Sequence, residues 1–563
     1  MLWVIACTGE KDTALVGEVD TAIIVFGEQQ TCPGEEHRWS FLQDQARSRG
    51  VQVDIAPHSS REECDYTPGS VVVQDLDGDG FLDILFGEYM STPYAFRNDG
   101  TGHFSEIELG LTVYDSARLN LGLAAVDITG DSLPELIMSG AGYVVFAENL
   151  GDFRFGQWQV ILDQPEYPRP CYNAFHLGDF DQDQDLDIFI GGLDLAAYEG
   201  DFVSFEMEEW KGSHDILMEN DGGSWAVVGE FSPWGERPGL SFLQRFTDVD
   251  NDGDLDILAS SDRVVPEQLP PMALWQNSAE KTGRDQWTDI GAETGADLPI
   301  SGMGLGVHDL NQDGFLDYCF SDIQGRLPCL ISDGFGSFYE GGRQLGLEVN
   351  YETHPEIPME WLYESEYNTT WIGWGLAMTD LNNDGFLDVV TAAGVVPDGG
   401  SVALSDVGYW QPDWLWEGSA NGFSEVLPSQ HALANAESHY GLVAADLEQD
   451  GHLELVIGVH GGNPLIFTNP CGQGHWLNVE LVGSGLNAEG FGARVILTRN
   501  NGQQDIQEMS NLHTVSQAPS QLHFGLGAEL SVQKIEVIWP DGKRSVAHNF
   551  EGDRIITIYH SEQ

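Results

Sequence analysis

Asp75, Asp77, Asp79 and Asp83 occupy positions one, three, five and nine of the stretch Asp75-Leu-Asp77-Gly-Asp79-Gly80-Phe-Leu-Asp83. Acids at alternate positions of a tight turn aim carboxylate oxygens at one centre, and Gly80 permits a backbone angle that other residues resist. Position seven, Phe81, can add its main-chain carbonyl. Hard oxygen donors without thiol or imidazole suit calcium better than zinc, and a flexible cage of about six or seven oxygens suits calcium better than magnesium. An EF-hand would place a glutamate at position twelve, but Phe86 stands there and the flanks read as strands, so the loop belongs to a β-hairpin.

One such loop is an acidic turn by default. Six further copies in register argue for a cation. The second has Asp127, Thr129, Asp131 and Glu135; Ser132 replaces the glycine and Pro134 follows, so weak or absent binding is expected. The third has Asp179, Asp181, Asp183, Asp185 and Asp187, with Gln184 in the glycine position. The fourth has Asp248, Asp250, Asp252, Asp254 and Asp256; the fifth Asp309, Asn311, Asp313, Phe315 and Asp317; the sixth Asp380, Asn382, Asp384, Phe386 and Asp388. The seventh, Asp446, Glu448, Asp450, His452 and Glu454, substitutes two longer acids and so expects altered geometry. Five to seven structural calcium ions follow as the expected complement.

Successive copies start 52, 52, 69, 61, 71 and 66 residues apart, which matches the blade of a propeller. The fold class is therefore all-β: a seven-bladed β-propeller over residues 66–474, then a small antiparallel β-sandwich or barrel over 475–563. Within each unit a strand leads into the loop, a second leads out, and a turn such as Asn98-Asp-Gly100 separates two more. Residues 1–65 form an N-terminal segment with apolar runs at 21–27 and 51–55 and a short helix expected around 39–49. One of the two runs is expected to close the propeller by donating a strand. After Cys471 the composition changes: residues 476–563 carry net charge -4 and the first 475 carry -64. Within the run Val532–Trp539, Lys534 to Val537 alternates as a half-buried strand should.

The whole chain has 563 residues and a net charge of -68, which argues against nucleic acid or an anionic membrane surface as a partner and favours cations. No run of 18 apolar residues occurs, so a transmembrane helix is not expected. Met1-Leu-Trp-Val-Ile-Ala-Cys7 reads as the end of a bacterial lipoprotein signal, with Cys7 the candidate lipid anchor. The other six cysteines fit three disulfides in an oxidising compartment, with Cys32–Cys64 and Cys319–Cys329 the expected local pairs and Cys171–Cys471 left over, although sequence does not fix the connectivity; the expected location is outside the cytoplasm: secreted, periplasmic or on the cell surface.

The repeats resemble FG-GAP or VCBS-type propeller repeats. The tail motifs His475-Trp-Leu-Asn-Val, Gly490-Phe-Gly-Ala-Arg-Val495, His523-Phe-Gly-Leu-Gly527 and Ile535-Glu-Val-Ile-Trp-Pro-Asp-Gly542 resemble the ASPIC/UnbV domain. The two together are similar to the cartilage acidic protein 1 family, here without its EGF-like module. The resemblance implies a secreted, calcium-dependent protein in matrix association or adhesion, and it supplies no catalytic residue.

The expected role is therefore a scaffold that binds an extracellular protein or glycan on the propeller face opposite the metal loops. Six of the 16 tryptophans fall between residues 350 and 420, and Trp361 and Tyr363, in an insertion, are the candidate ligand-binding residues. Trp374, Trp414 and Trp416 read as core. The alternative is a calcium-dependent polysaccharide lyase or hydrolase using Glu208, Glu209, His214 or His439, although no spacing unites those residues.

Overall fold

The computed structural model describes residues 23–30, 39, 42–53, 70–88, 91–166, 169–193, 213–232, 241–261, 272–278, 286–322, 326–348, 372–394, 411–427, 430–433, 437–469, 474–513 and 515–561. Trp361, Tyr363, Glu208, Glu209, Cys7 and the Cys32–Cys64 pair lie outside them.

The described chain is almost entirely β-strand, with short helical turns at Gly291–Thr294 and Gly342–Leu345. Each acidic loop joins the first two strands of one antiparallel sheet. The first unit comprises Val71–Gln74, Asp83–Phe86, Tyr94–Asn98 and Phe104–Ile107, paired in that order. Units two to six repeat it, with first strands Asn120–Val126, Cys171–Gly178, Ser241–Thr247, Leu305–His308 and Gly373–Thr379.

The seventh unit takes its first three strands, His439–Ala445, Glu454–Val459 and Leu465–Thr468, from its own stretch and its fourth, Gln43–Asp44, from the N-terminal segment. The expected helix over 39–49 is therefore replaced by a short strand followed by a turn. Asp44 carries the pairing: its carboxylate accepts from Ile466 N at 3.1 Å, a side-chain bond in which helix propensity has no say. Neither apolar run forms the sheet-seven strand; Ile24–Phe26 pairs instead with Arg554–Tyr559 in the C-terminal domain.

Hydrophobic clusters fill the spaces between consecutive sheets. Val72, Leu85 and Leu136 lie between the first and second, Phe189, Phe246 and Trp275 between the third and fourth, and Val389, Trp414 and Trp416 beside the fifth. Val71, Phe86, Val443 and Val456 lie between the seventh and the first. Trp374, Trp414 and Trp416 are core residues, as expected. The Cys319–Cys329 disulfide joins directly opposed residues of the second and third strands of unit five. Cys171 is also disulfide-bonded; Cys471 lies outside the described residues.

The C-terminal domain has two four-stranded sheets sharing one apolar cluster that includes Leu477, Val479, Val495, Val537 and Ile556. It is not purely antiparallel. His475–Val482 runs parallel to Arg554–Tyr559, because the chain crosses to the other sheet between them and returns in the same direction. From this domain the hairpin Leu512–His513/Ser516–Gln517 adds to the first unit, Ser516 and Gln517 pairing parallel with Val71 and Val72. No helix among the described residues is long and apolar enough to cross a membrane.

Candidate metal centre

Position nine of every loop is also the first residue of the second strand, so sheet pairing holds its carboxylate at the base of the turn. In all seven loops one oxygen of that acid accepts the N–H of position two at 2.7 to 3.2 Å. The second oxygen accepts an N–H in or just past the third strand in units one, three, four, five and six, from Asn98, Asn220, Asn277, Ser332 and Gly418, at 2.7 to 3.0 Å. The position-one carboxylate accepts the N–H of position six in every copy at 2.7 to 3.1 Å. Position five turns onto the N–H of position seven, including Phe81, Asp185, Asp254, Phe315, Phe386 and His452, at 2.9 to 3.1 Å.

This network needs a left-handed backbone at positions four and six. All seven copies have it, at Gly78, Gly130, Gln182, Asn251, Gln312, Asn383 and Gln449 and again at Gly80, Ser132, Gln184, Gly253, Gly314, Gly385 and Gly451. The second and third loops therefore keep the turn despite Ser132 and Gln184, the carboxylate caps of Asp127 and Asp179 holding angles that glycine would adopt freely.

Three loops bring their acids together. Asp75, Asp77 and Asp83 in loop one, Asp179, Asp181 and Asp187 in loop three, and Asp248, Asp250 and Asp256 in loop four each offer carboxylate oxygens within 4.8 Å of one another. Burial pushes Asp83 up to about 8, Asp187 to about 9 and Asp256 to about 8, and like charges in the loop push the same way against the backbone hydrogen bonds. A hard divalent cation reverses that cost, and three carboxylates with no softer donor fit it.

In the remaining loops the same positions are present with other chemistry. Thr129 Oγ1 donates to Glu135 at 3.3 Å, so the second loop spends a candidate ligand on its own acid. Asn311 and Asn382 accept the N–H groups of Asp313 and Asp384 at 3.0 and 2.9 Å. Asp309, Asp317, Asp380, Asp388 and Asp446 keep the hydrogen bonds of their loop positions, and burial raises the affinity of each for a proton. Asp131 turns onto Leu133 N at 3.0 Å.

Two connections between units were not legible in the motif. The position-four amide of one loop donates to the position-six carbonyl of the next: Gln182 to Gly253, Asn251 to Gly314, Asn383 to Gly451, and Gln449 back to Gly80. Asparagines at or just past the ends of third strands reach the neighbouring unit as well. Asn149 donates to Leu76 O, Asn277 to Phe180 O, Asn469 to Leu381 O and Asn98 to Leu447 O. The signal was the recurring asparagine of turns such as Asn98-Asp-Gly100, which read as turn chemistry alone.

The C-terminal domain is seated on these loops. Leu486 N and Asn487 N donate to Gln184 O at 2.7 and 3.0 Å, Gly527 N to Asn383 O at 3.1 Å, and Asn478 Nδ2 to Asp446 Oδ2 at 2.9 Å. Arg494 reaches Asn251 and Gly314 O. Glu508 enters deeper, pairing with Arg245 at 3.0 Å and accepting Asp248 N at 3.1 Å, and Gln517 brackets Ala125 with two 2.7 Å bonds. Of the residues considered for acid–base work, His214 is half-buried. His439 is fully buried against Asp413 at 2.7 Å; burial opposes its protonation, but the carboxylate outweighs burial and raises it.

These features define a repeat protein of the FG-GAP type with an ASPIC/UnbV domain at its C-terminal end. Residues 75–138 and 127–190 match the family model described as FG-GAP-like repeat, and residues 483–563 match that described as ASPIC and UnbV. Its distant homologues include cartilage acidic protein 1 of Xenopus tropicalis, 23% identical over 85% of this chain and 71% of the relative. The Homo sapiens protein of that name is 23% identical over 84% of this chain and 69% of the relative. Among solved structures, BBS1N in complex with ARL6DN aligns at TM-score 0.42 and 10% identity, covering 77% of this chain and 98% of its own. A lectin of Agrocybe aegerita aligns at 0.40 and 16%, covering 74% and 94%.

Proposed function

We propose that the chain is a calcium-stabilised seven-bladed β-propeller, capped on its metal-loop face by a C-terminal β-sandwich. It serves outside the cytoplasm as an adhesion or matrix scaffold. The observation that carries the metal assignment is the convergence of positions one, three and nine in loops one, three and four. The shared hydrogen-bonding frame extends the reading to further loops, for a complement of about five ions. Closure into a propeller is supported by the apolar cluster joining sheets seven and one, the return bond from Gln449 to Gly80, and Gln43–Asp44 on the edge of sheet seven.

Because the C-terminal domain occupies the metal-loop side, the ligand surface is the opposite side. The second-to-third and fourth-to-first strand connections leave the sheets there, and Trp361 and Tyr363, which fall in sequence between two units, are the candidate ligand-binding residues on this reading. The partner on this reading is an extracellular protein or glycan, bound partly by aromatic stacking. The Cys319–Cys329 disulfide supports an oxidising compartment. Metal analysis of the purified chain, paired with glycan-array and matrix-protein binding in calcium and in chelator, tests the proposal. Bound calcium and retention lost on Trp361→Ala with Tyr363→Ala are expected. A calcium-free chain at millimolar calcium would sink the metal assignment, and retention unaffected by the double substitution would sink the ligand surface.

A further inference from the structure

The seventh loop has carboxylates at the three positions that converge in loops one, three and four, namely Asp446, Glu448 and Glu454. Among the described residues these do not form such a cluster. A guanidinium lies there. Arg49 Nη2 is 2.6 Å from Glu448 Oε1 and 3.8 Å from Glu454 Oε1, and the arginine side chain is 5% exposed. The third acid has a partner in the C-terminal domain: besides the Gly451 N–H bond that every loop repeats, Asp446 Oδ2 accepts Asn478 Nδ2 at 2.9 Å.

The main chain fixes Arg49 in place. Its N–H donates to Gln45 O at 2.9 Å, and its carbonyl accepts Phe104 N of the first unit at 2.6 Å. Gly50 follows at φ 91°, where any side chain would run into the Phe104 backbone. On the far side Gly102 leaves the space the ion pair needs, because a Cβ there would lie 2.6 Å from Glu448 Oε1 and 2.9 Å from Arg49 Nη1. Sequence segments more than 350 residues apart are thus shaped around one cation.

Loop one supplies the control. Arg97 also approaches its loop, 2.6 Å from Asp77 Oδ2 and 3.2 Å from Asp79 Oδ2, but its side chain is 44% exposed and the Asp75, Asp77 and Asp83 cluster is intact. An exposed arginine can swing into solvent when an ion enters. Arg49 is 5% exposed, its main chain tied to Phe104 and its guanidinium enclosed by Gly102 and Glu448, so it has no such open path to solvent, and a divalent ion beside a trapped guanidinium meets strong like-charge repulsion at low dielectric.

We propose that Arg49 is the resident cation of loop seven, standing in for calcium, so that this loop excludes metal and the seam between the last and first units is fastened by the chain itself. The inference rests on the calcium reading of the other loops. Metal counting on the full chain, after dialysis against excess calcium, tests it. Glu448→Gln should leave the number of bound ions unchanged, because loop seven holds none; loss of one ion overturns the proposal. Arg49→Gln should raise the count by one; a folded variant with an unchanged count overturns it as well. Should Arg49→Gln fail to fold, the Glu448→Gln count still decides the matter on a chain with Arg49 in place. Asp250→Asn in loop four should lose one ion. A wild-type chain with no calcium at all overturns the reading of the other loops, which separates the two failures.

Discussion

In the repeat units the residue opening each second strand is a buried acid, while in the C-terminal domain the strands meet through Leu477, Val479, Val495, Val537 and Ile556. Both regions are built from four-stranded sheets, yet they depend on different solvents. The C-terminal sheets gain from removing apolar surface from water, a term indifferent to ions and nearly indifferent to pH. The units set carboxylates against their own desolvation at one end of every hairpin, so their stability is tied to whatever neutralises those charges. The net charges of -64 on the first 475 residues and -4 on the remainder follow the same division.

Chelation should separate the two regions most. A site held at a hundred times its dissociation constant adds about 2.7 kcal/mol, so three clusters together add roughly 8 kcal/mol. Hydrogen exchange in chelator should show amides at 71–86, 171–193 and 241–261 losing protection, while those at 475–482 and 531–538 keep more of theirs. Equal losses would erase the contrast. The pH dependence has a definite sign. Burial puts Asp83 at about 8 and Asp187 at about 9 in the ion-free fold, against the ordinary 3.8 for an aspartate. Between those values the folded chain holds protons the unfolded chain has lost, so ion-free stability falls as pH rises from about 4 through about 8 to 9. A bound divalent cation would keep the same acids ionised, so on the proposed calcium reading the gap in melting temperature between loaded and chelated protein should widen across that window.

The next largest effect is expected where the two regions touch. Arg245 and Glu508 are 3% and 2% exposed and pair at 3.0 Å, and Glu508 also accepts Asp248 N beside the loop-four acids. Glu508→Leu alone strands a buried guanidinium and should cost about 3–5 kcal/mol in denaturant unfolding. The double replacement Arg245→Met with Glu508→Leu removes both charges and should cost clearly less. If the double variant is the worse of the two, the pair is a net stabiliser, and the boundary between regions is electrostatic rather than apolar.

Much of this organisation is legible in the amino-acid sequence. The loops announce themselves because acid, glycine and strand recur in register, and Ser132 and Gln184 hide nothing once Asp127 and Asp179 cap them. The C-terminal strands showed through period-two alternation. What escaped lacks a local signal. Gln43–Asp44 is two exposed polar residues whose strand exists only because sheet seven needs an edge partner. Ser516–Gln517 pairs with Val71–Val72 across more than 440 residues, and no periodicity reports a partner that distant. Arg49 sits in a segment with no motif, so its neutralising of Glu448 depends wholly on folding.

The smallest effect tests whether unit-to-unit bonding matters apart from metal. Asn98 Oδ1 accepts Gly100 N and Gly102 N at 3.0 and 3.2 Å, while Nδ2 donates to Leu82 O at 3.0 Å and to Leu447 O of the seventh unit at 2.9 Å. Asn98→Ala leaves those buried carbonyls without the amide and should cost about 1–3 kcal/mol. Asn98→Asp keeps the acceptor for the two glycines but turns a carboxylate oxygen toward the two carbonyls, so it should cost more than alanine although it is closer in shape. Urea unfolding of both variants in saturating calcium gives the order directly. An aspartate variant as stable as wild type would mean the bond to Leu447 contributes nothing, leaving apolar packing, the Gln449–Gly80 bond and Arg49 to join the seventh unit to the first.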